Sequence, residues 1–318
     1  MNEASGQPPL PGPHDESAPG GTTGDGAAPS PLISVIVPHY EDLDRLSACL
    51  DALVRQEGDL DYEIVVSDNM SPSGETAVLA AIAGRARLVF ASRKGAGPAR
   101  NVGVAQSRGR ILAFTDCDCV PEPGWLKAGV AALDKHDFVG GQMTVSVSDP
   151  AHMSGAEGFE RVFAFDNRSY VVDKAFTVTA NLFCTRALFD KVGEFRTGVS
   201  EDLEWCHRAR DAGYRIGYAG DAIVGHPARA NWSELRRKWH RINAETYGLY
   251  LGKRLGRAKW AVRAFALPAS ILAHTPKVLT SGQVPGLGNK ARALGTLVAI
   301  RSWRMVDSLG LALGKKVS

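Results

Sequence analysis

The sequence predicts an α/β fold built on a largely parallel, doubly wound sheet, and three observations lead to it. Strand-forming runs alternate four times with segments of helical periodicity between residues 33 and 119. Each strand that ends cleanly runs into polar residues, which puts Tyr40, Asp68 and Asp116 on one edge of the sheet, the carboxyl edge where open α/β folds bind ligands. The apolar run Ile111-Leu112-Ala113-Phe114 ends in Thr115-Asp116-Cys117-Asp118-Cys119, two carboxylates with nothing apolar behind them.

Taken in order, residues 1–31 are Pro, Gly, Ser, Ala and acids with almost nothing to bury, and are expected to be disordered. Ile33–Val37 reads as the first strand, stopped by Pro38-His39-Tyr40-Glu41. Leu43, Leu46, Leu50 and Leu53 mark a helix by their spacing. Glu63–Ser67 is the second strand, a short helix lies near 76–83, and Arg87–Ala91 is the third strand. Lys94-Gly95-Ala96-Gly97-Pro98 leads into a helix over about 99–107. It has neither the Walker lysine spacing nor G-x-G-x-x-G, so it is neither standard phosphate loop. After the fourth strand a helix is expected through Leu133 and a strand from Phe138. Residues 150–175 read as an irregular, aromatic-rich loop or lid, Phe176–Cys184 as a strand, and Arg186–Val192 as a helix. Ser200 is placed to cap a helix with acids in its first turn and bases later. Short strands at Tyr214–Tyr218 and Ala222–Val224 precede His226.

Composition narrows the function classes. The apolar fraction is that of a soluble globular protein. The net charge of +3 conceals an asymmetry: residues 226–318 hold 17 Lys+Arg against 3 Asp+Glu, and residues 1–225 hold 20 against 31. A basic C-terminal part on an acidic body points to an anionic partner surface. Its Trp, Phe and Leu content favours lipid over nucleic acid. Five scattered cysteines, most within apolar runs, read as free buried thiols of a reducing compartment. With no secretory signal and no spanning segment expected, the chain reads as cytoplasmic, peripheral on the inner face of the cell membrane at most.

The paired aspartates hold the chemistry. If the backbone stays near-extended, residues two apart share a side, and two carboxylates sharing a side repel unless a cation lies between them. Mg²⁺ or Mn²⁺ prefers such oxygen ligands. A lone pair of aspartates after a strand is more often just a polar turn, so its weight comes from its company.

That company is Val35-Ile36-Val37-Pro38-His39-Tyr40, Ile64-Val65-Val66-Ser67-Asp68-Asn69-Met70-Ser71, Gly97-Pro98-Ala99-Arg100-Asn101-x-Gly103, Asp116-x-Asp118, and Glu201-Asp202 ahead of a helix. In this order and spacing, across roughly 33–245, the chain resembles a family 2 glycosyltransferase of the GT-A fold. The fold so implied is Rossmann-like, a mostly parallel mixed sheet flanked by helices. It would occupy 32–250, with C-terminal amphipathic helices over 251–318. Ser73 stands where the family often has Asp, and His39 where it often has a small polar residue, which bears on base and ribose contacts.

The resemblance implies that Pro38, Tyr40, Glu41, Asp68, Asn69, Arg100, Asp116 and Cys117 line the nucleotide-sugar site, with a UDP-sugar the leading donor. It implies that Asp116, Asp118 and His226 hold a divalent cation, Mg²⁺ or Mn²⁺. Asp202, with Glu201, would deprotonate the acceptor hydroxyl. The activity implied is metal-dependent, inverting transfer of one sugar from a nucleotide-diphosphate sugar, in cell-surface glycan or polysaccharide biosynthesis. The alternatives are a catalytically silent glycan- or membrane-binding scaffold, or a processive synthase. A sugar-phosphate nucleotidyltransferase would show a Gly-rich basic loop after the first strand, and Pro38-His39-Tyr40-Glu41 stands there instead.

Leu235-Arg236-Arg237-Lys238-Trp239 resembles the Q-x-x-R-W box with which processive synthases hold the acceptor end, but Leu replaces Gln and Lys replaces Arg. Lysine cannot make the bidentate contact of arginine, which argues against processivity. Beyond 250, Lys259–Thr275 and Leu294–Leu313 are apolar segments interrupted by arginines. They are expected to rest on an anionic membrane surface, with Trp260, Phe265, Ile271, Leu272 and Trp303 reaching the headgroup boundary. The partners expected are thus the donor, a glycan or lipid-linked acceptor and an anionic membrane surface, with no nucleic acid.

Overall fold

Eight strands and eleven α-helices are present in the computed structural model, which describes residues 33–314 apart from 249 and 252. The expected disordered tail lies outside the described residues. The alternation read from the sequence holds through β1 (Ile33–His39), α1 (Leu43–Leu53), β2 (Tyr62–Asp68), α2 (Gly74–Ile82), β3 (Arg87–Phe90), α3 (Ala96–Gln106) and β4 (Ile111–Phe114). Then come β5 (Val120–Pro121), α4 (Trp125–Ala132), β6 (Phe138–Ser146), α5 (Gly155–Phe163), α6 (Asn167–Lys174), β7 (Leu182–Thr185) and α7 (Arg186–Val192). The chain ends in α8 (Glu201–Asp211), β8 (Ile216–Pro227), α9 (Trp232–Gly248), α10 (Gly256–Thr280) and α11 (Leu287–Ala312).

The sheet order is β3-β2-β1-β4-β7-β6-β8-β5. The first four strands are parallel, with Ile36 of β1 opposite Val65 on one side and Phe114 on the other. Strand β7 runs antiparallel between β4 and β6, while β6 and β8 are parallel to each other. Both faces of β1 are covered, so it reads as a continuous apolar run. Val35 and Val37 face α1 and α2 with Leu46, Leu50 and Ile82, while Ile36 faces Phe114, Phe189 and Trp205. Pro38 falls beyond the last β1–β4 pair, where the N–H it lacks has no strand to donate to.

Four elements differ from the expectation. Residues 150–175 are two helices, not a loop. Ser154 and Glu157 cap α5 reciprocally, a signature present in the sequence as Ser154-x-x-Glu157. Of Phe176–Cys184 only the end joins the sheet, because a 3₁₀ turn, Thr179–Asn181, precedes β7. The two short strands before His226 are one strand, β8, with a register shift opposite Gly141 and Gln142. Ser200 does occupy the cap position of α8, but its hydroxyl bonds Asp202 rather than a helix N–H.

The C-terminal helices pack on the body. Phe159 of α5, Leu235 of α9, Val278 of α10 and Leu297 and Ile300 of α11 form a separate apolar cluster. Trp260, expected at a membrane boundary, is 1% exposed and donates from Nε1 to the Ser308 carbonyl at 2.9 Å. Arg304 is buried too, stacked 3.8 Å from the Trp239 ring centroid. Burial, with the Arg301 charge beside it, pulls its pKa down to about 9. Neither residue faces out, since each fills the seam between helices.

One ion cluster holds α5 to α9. Glu160, 1% exposed, accepts from Lys238 Nζ at 2.7 Å and from Arg229, through its backbone N–H at 2.9 Å and through Nη1. Burial alone would raise the Glu160 pKa, but Lys238 and Arg229 bring it below the usual carboxylate value. A carboxyl lowered in the folded state contributes stability that is complete above its unfolded pKa and lost as pH falls through the folded one. Glu160→Ala should cost about 3 kcal/mol, because two cations lose a buried partner. Urea unfolding at neutral pH reads that loss, and the gap between mutant and parent should shrink as pH drops below 4.5.

Candidate active site

The site forms where β4 ends. The backbone does not stay extended there. Asp116 to Cys119 is a tight turn closed by the Cys119 N–H to the Asp116 carbonyl at 3.0 Å, so the expected shared side for Asp116 and Asp118 is replaced by two separate placements. Cys119 points into the core and Cys117 is half-buried. Burial and the two aspartates raise both thiol pKa values, so neither is a ready thiolate.

Asp116 meets Arg100. The guanidinium, 3% exposed, donates from Nη2 to Asp116 Oδ1 at 2.5 Å and from Nη1 to Glu201. One buried cation therefore ties the end of β4 to the first turn of α8. Burial disfavours its charge, but the two carboxylates outweigh that and raise its pKa. Glycines make the approach possible. A Cβ on Gly97 would meet Glu201 Oε2 at 2.5 Å, and one on Gly103 would meet Ile36 Cγ2 at 2.6 Å, so α3 lies directly on β1. Asn101 completes the arrangement, bonding the carbonyl and N–H of Phe195 at 2.9 and 3.0 Å.

Asp118 meets His226. Pairing of Val120 with Gly225 in the β5–β8 ladder brings His226 beside the turn, and Nε2 lies 3.3 Å from Asp118 Oδ2. The other ring nitrogen, Nδ1, lies 2.7 Å from the Pro227 carbonyl. A carbonyl only accepts, so Nδ1 holds a proton. A neutral ring would then aim the Nε2 lone pair at a carboxylate, an arrangement that requires a proton or a metal ion between them. Burial works to raise Asp118, yet His226 overrides it and holds the carboxyl down to about 2.

Of the three expected metal ligands, Asp118 and His226 come together while Asp116 turns its Oδ1 to Arg100. Among the described residues no three His, Cys, Asp or Glu side chains converge as a preformed metal cluster. The donor chemistry of the Asp118–His226 pair nevertheless fits a divalent ion. Hard oxygen and neutral imidazole suit Mn²⁺, and the carbonyl bond on Nδ1 orients the ring as metal-bound histidines usually are.

The remaining expected residues sit along the same edge. Tyr40 is half-exposed. Glu41, in left-handed backbone conformation at φ 59°, accepts from the Ser73 N–H at 2.7 Å. Asp68 is buried and accepts from His39 Nδ1 at 2.7 Å and from the Ser71 hydroxyl and N–H at 2.6 and 2.9 Å. Asn69 bonds the Ala91 and Arg93 carbonyls and the Gly95 N–H. Asp68 and Asn69 thus hold the loops that surround Tyr40 and Gly95. Asp202 Oδ1 accepts from Ser200 Oγ at 2.9 Å and the Leu203 N–H at 2.8 Å, which leaves Oδ2 without a hydrogen bond among the described residues.

Sequence reading missed the basic side. A cavity of about 460 Å³ opens beside Asp118 and His226 and is lined by Arg45, Arg229, Arg237, Lys238 and Arg241. Arg229, three residues after His226, enters the sequence only as one of the bases of the C-terminal part. Lys238, at the Arg position of the acceptor box, is the buried partner of Glu160, and the signal that would have found the pair is the capping box that makes α5 a helix.

Known proteins resemble this chain in sequence and in fold. The family model described as glycosyl transferase family 2 matches residues 34–193. Glycosyltransferase AglE of Haloferax volcanii is 32% identical over 291 residues, which cover 88% of this chain and 95% of that protein. The succinoglycan biosynthesis protein ExoO of Rhizobium meliloti is 32% identical over 127 residues, 39% of this chain and 35% of that one. Among solved structures, mannosyltransferase PcManGT from Pyrobaculum calidifontis, in complex with GDP-Man and Mn²⁺, aligns over 91% of this chain and 88% of its own. The TM-score is 0.56 at 18% identity, a likeness of fold.

Arg100→Ala would leave Asp116 and Glu201 facing each other without a counter-ion. Breaking a buried ion pair in this way costs about 3–5 kcal/mol, read as a lower urea midpoint. Arg100→Lys should recover only part of it, because one ammonium cannot span both carboxylates as the planar fork does. Equal midpoints for parent and Arg100→Ala would remove the triad from the account of the site.

Proposed function

The chain belongs to glycosyl transferase family 2, and on that premise we propose that it is a metal-dependent, inverting enzyme. It moves one sugar from a nucleotide-diphosphate sugar to an acceptor hydroxyl in cell-surface glycan or polysaccharide biosynthesis. The observation that supports this most directly is the Asp118–His226 pair, with its second ring nitrogen committed to a carbonyl. Asp118 and His226 would hold the cation, with Asp116 the third ligand that the motif implies. When bound, the ion neutralises charge growing on the diphosphate leaving group.

The residues of the chain supply the rest. Tyr40, exposed at the sheet edge, offers a ring face to the donor base, and Asp68 and Asn69 shape the loops beside it. Glu201 and Arg100 hold Asp116 in place. Arg229 and Arg237 add positive charge next to Asp118, where a diphosphate would lie. In the transfer the acceptor oxygen bonds to the anomeric carbon from one face as the carbon–oxygen bond to the diphosphate breaks on the other. The bonding pair leaves with the nucleoside diphosphate. The acceptor proton passes to Asp202, whose Oδ2 is open. Glu201 is the poorer base because its carboxylate is paired with Arg100.

Transfer of single sugars is favoured over processive synthesis by Lys238, which is bound to Glu160 and not free to grip an acceptor. A UDP-sugar is the donor that the family resemblance favours, whereas PcManGT was solved with GDP-Man, so the assay compares both. The acceptor is a glycan or lipid-linked intermediate reached from the inner face of the membrane. No helix among the described residues is long and apolar enough to cross a membrane, which suits a peripheral placement.

Asp118→Ala should abolish transfer and metal-dependent nucleotide binding while the fold persists, and excess EDTA should silence the parent. Calorimetric titration of nucleoside diphosphate with and without Mn²⁺ reads the binding, and full activity in EDTA would end the metal reading. Asp202→Asn should lower turnover about 10²–10⁴-fold, the usual worth of a general base, with donor affinity nearly unchanged. Normal turnover at saturating donor would make Asp202 a binding residue instead.

A further inference from the structure

Helix α10 has two apolar faces and only one of them is used. Trp260, Ala264 and Val278 turn inward and are buried against the neighbouring helices. On the other side Val262, Phe265, Ala269, Leu272, Pro276 and Leu279 recur at alternating spacings of three and four and are all exposed. Phe265 is 64% and Leu272 81% open. At 100° per residue these six fall within one narrow stripe, on a helix of 25 residues that measures about 37 Å. No carboxylate occurs between Gly256 and Thr280, while Arg257, Lys259, Arg263 and Lys277 are all exposed. Arg257 lies on one flank of the stripe, and Lys259 and Lys277 lie on the other.

We propose that this outer face of α10 is the membrane-docking surface of the enzyme. The helix lies along an anionic bilayer with Phe265 and Leu272 in the acyl boundary and the flanking bases on headgroup phosphates. The assignment rests on the peripheral placement proposed above and gives it a surface.

Charge and composition select this occupant over two others. A second copy could pair with a stripe of heptad spacing, but facing helices need complementary flanks, and here both would bring only bases. The N-terminal 32 residues carry acids, yet their large apolar side chains are only Met1, Leu10 and Leu32, too few to fill six positions. A bilayer with anionic headgroups supplies both an apolar layer and negative charge, and an interfacial helix needs both. An apolar stripe without a run of spanning length rests in the interface plane rather than crossing it. The membrane surface is therefore α10, while Trp260 and Arg304 serve its attachment to the body.

The test uses the full chain and vesicles of phosphatidylcholine alone or with phosphatidylglycerol added, spun at low and high salt. The parent should co-sediment with the mixed vesicles and much less with the neutral ones. Phe265→Ser/Leu272→Ser should weaken that partitioning at least about tenfold at either salt. Lys259→Gln/Lys277→Gln should weaken it about thirtyfold at low salt and little at high salt, as expected where each base near an anionic surface adds about 1 kcal/mol. Both variants should melt at the parent's temperature and transfer sugar to a water-soluble acceptor at the parent's rate. Equal sedimentation of the parent with neutral and mixed vesicles overturns the proposal. So does a parent dimer in sedimentation equilibrium that Phe265→Ser/Leu272→Ser makes monomeric, because the second copy is then the occupant. Vesicle binding without any sugar transfer by the parent would leave the docking surface standing and refute the enzymatic reading alone.

Discussion

Two carboxylates one residue apart at the end of a buried strand set the terms for this fold. Asp116 and Asp118 both sit at the buried end of β4, where a carboxylate is costly without positive charge beside it, and each has a basic side chain next to it. The chain meets that need twice, from opposite directions. Arg100 comes from α3 and pairs with Asp116, and it is held in turn by Glu201 at the start of α8. His226 comes from the end of β8 and faces Asp118. The two solutions differ in kind. A guanidinium is always charged, so the Asp116 side is permanently compensated. An imidazole carries no such fixed charge, so the Asp118 side lacks that permanent compensation.

Several local features follow from those pairs. Gly97 and Gly103 bring α3 onto β1 closely enough for Arg100 to reach both acids. The two-residue strand β5 is too short to stabilise much by itself, but it sets the register that places His226 opposite the turn. Behind the site, Glu160 anchors Arg229 and Lys238, so the basic wall of the cavity is fixed through α5. Farther out, Asp307 accepts from His240 at 2.9 Å and from Asn243 at 2.9 Å, and Arg304 stacks on Trp239.

The asymmetry of charge in the sequence divides into three uses once the chain is folded. Arg229 and Lys238 are internal partners of one buried acid. Arg237 and Arg241 face the cavity next to Asp118. Arg257, Lys259 and Lys277 stand on the outside of α10, flanking an apolar stripe. A count of charges cannot distinguish these uses, because each depends on which acid, cavity or surface lies opposite.

What the sequence determined by itself was the half of the molecule ruled by local pattern. Leucines at helical spacing marked α1, uninterrupted apolar runs marked β1, β2 and β4, and five motifs in order identified the family, because period and motif are properties of neighbours along the chain. At Ser154-x-x-Glu157 the capping signal is also local, and it makes α5 a helix within a stretch whose aromatic content alone reads as a loop. Tertiary structure decided what depends on residues far apart. It turned Asp116 toward Arg100 and Asp118 toward His226, spent Lys238 on Glu160, and put Trp260 inside while leaving Phe265 outside. Each of these is a choice between partners from 16 to more than 100 residues away, or between two apolar faces of one helix. Sequence names the groups that need a partner, but only the packed chain places one within reach.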